Sequence, residues 1–537
     1  MNMRRERAIK IGIIAGVVIL TQFLYPYAIS HGKPNYIFGG IYFNPYDGYS
    51  YLSKMYQGWQ GFWKFYLLYS PEQGHGSYLF LFYLFLGHIS RWTGLSLPTT
   101  FHLARLFTTT LFFLILFNFL KIVLVDSRLY LSAYCLTAFG SGLGWLGLLF
   151  NKITPDFWVA EAYPFLSSFA NPHFPLGLAI LLWIFSSKNL EDLKISPKKA
   201  LGLFISSLLL AVVLPFGVVI SIAVLLLSAV FEYFIHLLNK DKKSFQNYRF
   251  LGLEILFVIL GGMPMLLYQF WLTRNDSLLS IWNIQNVTPS PNIGELVIAL
   301  LPAGILAIAG FFGAMKEKNY NSIRIQMWAL VGIGCTYIPF LLQRRLLMGV
   351  YLPVVVLAVL GIDYVVRTFF GANNKSKIYN FIALTLFLFS VPTNIIILSS
   401  TKNAIDRLDS MLYLKSSEVE AFKWLAENAP QQSIILSSPE SGLFIPAYTG
   451  QHVIYGHPFE SINADISKQF VIDFYTRMIA SRDMDKIHRS LFEYRVDYIY
   501  MGPREKRLTI EDFSPFLQEQ FDQVFQNADV KIFRIIK

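Results

Sequence analysis

Charge is scarce in this 537-residue chain: Asp, Glu, Lys and Arg make up 15% of it, against roughly 25% in soluble domains. Cysteine is scarcer still. Cys135 and Cys335 are the only two, and both fall inside apolar runs, so no disulfide framework is implied. The sequence shows no internal repeat and no low-complexity tract, which removes solenoid, collagen and disordered readings. Apolar residues take the place of charge: 54% are hydrophobic and 16% aromatic, with a mean hydropathy of +0.46. They gather in runs of about twenty, the length that crosses a bilayer. The fold class expected is a polytopic α-helical membrane protein.

A net charge of +11 suggests nucleic acid until the charges are located. Most of the Lys and Arg sit in short loops between apolar runs, which is how membrane topology is encoded. No nucleic-acid partner is expected. Runs at 9–28, 99–124, 129–150, 172–187, 200–214, 216–238, 250–271, 293–314, 325–342, 346–368 and 377–399 give about 11 transmembrane helices. The basic N-terminus followed by a run long enough to span, with no small-residue cleavage site, reads as a retained first helix rather than a signal peptide. The stretch 78–93 is short and interrupted by Gly87, His88 and Arg91. If it lies along the surface, the basic clusters at 4–10, 121–128, 188–199, 240–249, 316–324 and 367–377 all share one side. If it spans, the positive-inside rule fails throughout. The expected topology therefore places the N-terminus in the cytoplasm and the C-terminus outside, in a bacterial plasma membrane.

That topology leaves outer loops at 29–98, 151–171 and 272–292. It divides the chain into a membrane module, 1–399, and an extracytoplasmic α/β domain, 400–537, where charge returns and apolar runs shorten. Within the tail, 418–428 and 465–480 read as helices and 433–437 and 496–501 as strands. Residues 530–535 read as an edge strand.

The first outer loop carries Asn44-Pro-Tyr-Asp47-Gly-Tyr-Ser-Tyr-Leu-Ser-Lys54. Asp47, at the interface and framed by Tyr42, Tyr46, Tyr49 and Tyr51, is placed to take a proton from an acceptor hydroxyl. The plainer alternative is a helix cap. The second loop holds Asp156, Glu161 and His173 among aromatics. Such groups suit metal or proton chemistry, but their spacing matches no metal motif, so no cofactor is assigned and a divalent ion stays possible. Arg344 and Arg345 put positive charge on the outer side, against the local rule. Guanidinium pairs grip phosphate in a forked manner, and the alternative is snorkelling to headgroups. Arg105 is a weaker instance of the same idea.

Taken together, these positions resemble the GT-C superfamily of integral-membrane glycosyltransferases, which use polyprenyl-phosphate-linked sugars. An Asp early in the first outer loop, then a surface-lying helix, then a span with an Arg near its start is the order of that group. Asp47, the Gly74-His75-Gly-Ser-Tyr-Leu stretch and Phe101-His-Leu-Ala-Arg105-Leu are similar in order. Protein O-mannosyltransferases and lipid A aminoarabinose transferases show a similar layout. The stretches Asp47 to Gly58, Phe169-Ala-Asn-Pro-His173-Phe-Pro and Gly456-His-Pro-Phe-Glu460 resemble a bacterial branch of the group. Relatives open the next span with an acid where this chain has Asn171-Pro-His173, so a second acidic role moves to Glu161 or Asp156. The tail from Trp424 to Gly442 is similar to the outer domain of oligosaccharyltransferase catalytic subunits. It has Ser438-Pro-Glu440-Ser-Gly442 in place of Trp-Trp-Asp-Tyr-Gly, which argues against sequon N-glycosylation.

The resemblance implies transfer of a sugar from a polyprenyl-phosphate donor to an unknown glycan, lipid or protein acceptor outside the cytoplasm, with inversion and Asp47 as base. Arg344, Arg345, Arg105, His75, Lys54, His173 and Tyr46 are the substrate-binding candidates, and membrane lipids are the other partners. The competing classes are a transporter or flippase, which would show charged, broken spans and duplicated halves, and a non-catalytic scaffold.

Overall fold

The computed structural model describes residues 3–186, 196–239, 245–316, 322–371, 374–509 and 511–536. Lys188, Lys194, Lys240, Lys242, Lys243 and Lys318, six of the basic residues that orient the chain, lie outside the described residues. The chain forms two compact units. One comprises Met1–Phe23, Ala104–Tyr268 and Thr288–Ser400, the other Leu24–Leu103, Gln269–Val287 and Thr401–Lys537.

All eleven apolar runs contain helix, but they differ in length. Met3–Ser30, Leu97–Val123, Pro215–Ile235, Phe250–Asn275, Gln343–Phe369 and Lys375–Asp406 are long and apolar enough to cross a membrane. Two bent pairs, Ser127–Phe139 with Gly144–Phe150 and Ile293–Leu300 with Ala303–Lys316, bring the number among the described residues to eight. The remaining three runs hold the shorter helices His173–Phe185, Pro197–Val213 and Ile323–Cys335, of 13, 17 and 13 residues. At about 1.5 Å per residue these reach roughly 20–26 Å, against a hydrocarbon core of about 30 Å. Among the described residues, length and apolarity alone identify six to eight spans.

The first unit is helical. Its Tyr351–Phe369 helix is apolar along most of its length and buried over most of it. The Ala303–Lys316 helix approaches it through glycine: a Cβ on Gly310 would meet the Leu357 carbonyl, and one on Gly361 would meet that of Leu306. Small residues permit such backbone approach where lipid offers no hydrophobic drive between helices. Large apolar side chains such as Leu267, Phe312 and Phe381 stay exposed, as a lipid-facing surface requires. Several charges within this unit are paired: Arg324 with Glu254 at 2.5 Å, and Arg128 and Arg367 with Asp363 at 3.0 and 2.8 Å.

The second unit gathers the tail with the whole of the first outer loop and residues 272–287 of the third. Strands β1 (Tyr36–Phe38) and β2 (Tyr413–Lys415) pair antiparallel. A five-stranded sheet follows from β3 (Ile434–Leu436), β4 (His452–Val453), β5 (Tyr498–Met501), β6 (Asp522–Gln526) and β7 (Lys531–Arg534), in the order β4-β3-β5-β7-β6. β3 is parallel to β4 and β5, while β7 is antiparallel to both its neighbours. The expected edge strand at 530–535 is therefore interior. Its hairpin partner β6, Asp-Gln-Val-Phe-Gln, is too polar to announce itself by alternation. Ile434, Leu436, Val471, Phe474, Tyr475, Ile499, Met501 and Phe533 are among the residues of one apolar core.

The stretch 78–93 contains the Leu81–Thr93 helix, which at 13 residues is too short to span. It packs on the Pro45–Gln60 helix, with Gly58 against the Leu84 carbonyl and Gly87 against that of Met55.

Candidate active site

Asn44 sets the start of the Pro45–Gln60 helix. It takes a left-handed backbone conformation (φ 46°), Pro45 occupies the first helical turn, and Gly61 (φ 107°) ends the helix. Asp47 falls in that first turn. The N-cap position belongs to Asn44, and the Asp47 Oδ2 accepts from Asn44 Nδ2 at 2.6 Å. Asp47 is thus not the cap of its helix. It is half-buried, and its neighbour Tyr46 is exposed. Of the other framing tyrosines, Tyr42 and Tyr49 are buried and Tyr51 stacks on Tyr83 at 4.1 Å between ring centres.

Ser50 and Lys54 follow Asp47 at spacings of three and seven, on one helix face. The sequence places Lys54 among the substrate contacts. Its ammonium instead bonds Glu460 at 2.5 Å, Ser50 Oγ at 2.6 Å and the Ser50 carbonyl at 3.4 Å, and these engage its three donors. It also lies 4.3 Å from the centre of the Phe80 ring. Burial lowers the Lys54 ammonium from its ordinary value while Glu460 opposes the fall. Burial also works against the Glu460 carboxylate, but Lys54 chiefly outweighs it and holds that carboxyl below the usual range. Ser50 Oγ donates to the same carboxylate at 2.5 Å. Glu460 and Ser50 escape a reading of the sequence, although a buried lysine on an amphipathic helix calls for an acid somewhere. Gly456-His-Pro-Phe-Glu460 holds that acid, 406 residues away. His75 is exposed on the loop before the Leu81–Thr93 helix.

In the first unit the structure brings Glu161, Arg344 and Arg345 together. Both arginines lie in a short 3-10 turn, Gln343–Leu347, and both reach Glu161 Oε1, at 3.5 Å from Arg344 Nε and 3.3 Å from Arg345 Nη1. Arg344 also lies over the Trp158 ring, 5.0 Å from its centre. From the sequence, one arginine is expected in the site and the other to snorkel, with a bound anion as compensation. The structure supplies an internal anion, Glu161, which is buried and shared by both side chains.

Asp156 does not join this cluster. It is fully buried, and its carboxylate accepts from Thr154 Oγ1 at 2.5 Å, the Gly144 amide at 3.0 Å and Ser141 Oγ at 3.5 Å. Burial raises its pKa while Thr154 and Gly144 oppose the rise. Its contacts are those of a loop tie. Arg105, also fully buried, donates to the Phe169 carbonyl and to Gln22 Oε1, a clamp between helices. His173 opens the His173–Phe185 helix, buried against the Phe174 ring at 4.0 Å. Among the described residues no three His, Cys, Asp or Glu side chains converge in a way that could hold a metal ion.

No protein-family model and no curated protein matches the sequence. Solved structures do match the fold. An oligosaccharyltransferase of Archaeoglobus fulgidus, solved with a tethered acceptor peptide containing the NVT sequon, aligns over 92% of this chain and 69% of its own, with 13% identity and a TM-score of 0.51. Arabinofuranosyltransferase AftD from Mycobacteria aligns over 100% of this chain with 12% identity and a TM-score of 0.53, and this chain spans 40% of its length. ArnT from Cupriavidus metallidurans, solved with undecaprenyl phosphate, aligns over 97% of both chains with 10% identity and a TM-score of 0.48. At such identities the likeness is one of fold. The chain is an integral membrane protein whose fold is similar to those of an archaeal oligosaccharyltransferase and of the arabinofuranosyltransferase AftD.

Proposed function

We propose that the protein is an inverting glycosyltransferase that moves a sugar from a polyprenyl-phosphate donor to an acceptor on the non-cytoplasmic face, where residues 400–537 also lie. The observation that carries this reading is the Asp47 carboxylate. It is half-buried on a rigid helix turn, tied by Asn44 and not used as a cap, on a fold shared with two glycosyltransferases.

In the proposed step Asp47 takes the proton of an acceptor hydroxyl. The hydroxyl oxygen forms a bond to the anomeric carbon as the bond from that carbon to the phosphate oxygen breaks. Polyprenyl phosphate leaves with the electron pair, and the anomeric centre is inverted. Phosphate recognition falls to Arg344 and Arg345, whose guanidiniums are fixed by Glu161 and Trp158. Preorganised charge aimed at a departing anion usually does more than any other single effect to lower such a barrier.

The test is mass spectrometry of envelope glycans and polyprenyl-linked sugars after gene deletion. One glycan should be lost and one lipid-linked sugar should accumulate, both restored by the wild-type gene. Unchanged profiles in both pools would end the transferase reading.

The arginines can be tested separately. Arg345→Lys keeps the charge but loses the fork, so donor KM should rise about tenfold while acceptor KM stays constant. Steady-state kinetics in reconstituted vesicles measure both. If the Arg344→Lys and Arg345→Lys variants each keep the wild-type donor KM and kcat, the pair only braces Glu161.

A further inference from the structure

His457 carries a buried donor that the transfer step above does not use. Its loop, between β4 and the Ala464–Asp473 helix, folds back on itself. The Gly456 and His457 amides both donate to Ser461 Oγ at 3.2 Å. Inside that turn the Phe459 and Glu460 amides donate to His457 Nδ1 at 3.0 and 3.1 Å. Two converging N–H groups require a lone pair, so Nδ1 is bare and the ring proton sits on Nε2. Burial pushes the imidazole below its ordinary value, which keeps this neutral tautomer at neutral pH.

The Nε2–H group is buried and has no hydrogen-bond partner among the described residues. Native structures leave few such donors unmet, and each calls for an explanation. The surroundings supply one. The Tyr46 ring stands perpendicular to the imidazole at 5.8 Å. Tyr46 is exposed and adjoins Asp47 on the helix, and the Asp47 carboxylate acts electrostatically on His457. Glu460 bears on the imidazole in the same sense, and Lys54 opposes the two carboxylates more weakly than either acts, which leaves the local sign negative. An anionic ligand would be repelled there. A neutral polyol would not: one hydroxyl can donate to Asp47 while a neighbouring oxygen accepts from Nε2–H, and an aromatic ring suits the C–H face of a sugar.

We propose that His457 binds a neutral carbohydrate acceptor, its Nε2–H donating to one hydroxyl oxygen while Asp47 accepts from a neighbouring hydroxyl and the Tyr46 ring covers a sugar face. The assignment rests on the reading of Asp47 as the acceptor-activating carboxylate, and it adds the acceptor's chemical class and a second residue that holds it.

The two ring nitrogens can be replaced separately. His457→Asn puts an amide oxygen where Nδ1 accepts and so keeps the turn, but it removes the distal donor. His457→Gln places an amide donor near the Nε2 position. The full-length chain in nanodiscs is titrated with methyl glycosides of glucose, galactose, mannose and arabinose and with their monodeoxy analogues, read by saturation-transfer NMR.

The expected result is that at least one glycoside binds the wild type. His457→Asn should weaken it by roughly 3- to 10-fold, the range of one neutral hydrogen bond, with an unchanged thermal midpoint. His457→Gln should recover most of the loss. One monodeoxy analogue should bind the wild type as weakly as its parent binds His457→Asn, and lose nothing further in that variant. This last comparison lies in the ligand, so it survives a variant that folds poorly. If no glycoside binds the wild type, or if every glycoside binds His457→Asn as tightly as the wild type, the proposal is overturned and the N–H rests on the Tyr46 ring. If the His457-dependent binding holds while gene deletion leaves the envelope glycans unchanged, the transferase reading fails and the carbohydrate contact stands.

Discussion

Asp47→Asn should leave the chain folded and inserted while lowering sugar transfer by about 10²–10⁴-fold, the usual worth of a positioned general base. Asn matches Asp in shape, and its amide oxygen can still accept from Asn44 Nδ2, the 2.6 Å contact that orients the side chain. What disappears is the lone pair able to hold a proton. A purely structural Asp47 would behave differently. In the first turn of a helix a carboxylate interacts favourably with the helix dipole by roughly 0.3–1 kcal/mol, and its loss would lower the thermal midpoint slightly without touching turnover. The two readings separate in one preparation. Vesicles reconstituted with the full chain and the lipid-linked sugar pool of wild-type membranes give the transfer rate, and a thermal scan of the same sample gives stability. A rate within a few-fold of wild type would remove Asp47 from the chemistry.

How much of this is legible in the sequence depends on how local each signal is. Apolar runs and basic loops are local, so the membrane class and the helical identity of all eleven runs can be read directly. Span count cannot. Pro302 breaks one run and the Gly140–Leu143 stretch another, and three helices stop at 13 to 17 residues. Composition averaged over a run is blind to those breaks. In the tail, helix 418–428 and the two buried strands announce themselves by periodicity and apolar content. β6 does not, because a polar edge strand is defined by its partner. With β6 hidden, β7 looks like the sheet's edge instead of an interior strand.

The site divides in the same way. Asp47 and Tyr46 can be picked out because one short stretch sets the turn, the carboxylate and the ring together. The Arg344–Arg345 pair is conspicuous as misplaced charge, but its counter-ion Glu161 is 184 residues away from Arg345, and the sequence alone pairs no acid with it. Lys54 carries the least visible information. The sequence marks it as a substrate contact, and only the tertiary fold shows it buried against Glu460. His457 belongs to the same class, since the orphaned nitrogen exists only once the 456–461 turn has closed.

Glu460→Ala should be strongly destabilising to the second unit. Removing one partner of a buried ion pair typically costs about 3–5 kcal/mol, because the other charge stays buried without compensation. The pair fits that case: Lys54 Nζ lies 2.5 Å from Glu460 Oε1 with side chains 1% and 11% exposed. Lys54→Met should cost less than Glu460→Ala, since Ser50 Oγ still donates to the stranded carboxylate. The double variant Lys54→Met, Glu460→Met should recover much of the loss, because apolar replacement of both partners is often neutral. The pH dependence has a definite sign. The Glu460 carboxyl is held below its ordinary value in the folded state, so its contribution is complete at neutral pH. That contribution fades as pH falls below about 4.3, the ordinary value for Glu. In Glu460→Ala the slope moves to the alkaline side. Lys54 is already lowered by burial and loses the carboxylate that opposed the fall, so the folded state binds fewer protons than the unfolded one and stability rises with pH. Thermal midpoints of the full chain in nanodiscs between about pH 4 and pH 10, a range that brackets the ordinary values of both groups, would record both trends. A Glu460→Ala midpoint equal to wild type near neutral pH, or one that falls as the solution is made alkaline, would mean that Lys54 is solvated and that the pair does not anchor the Pro45–Gln60 helix.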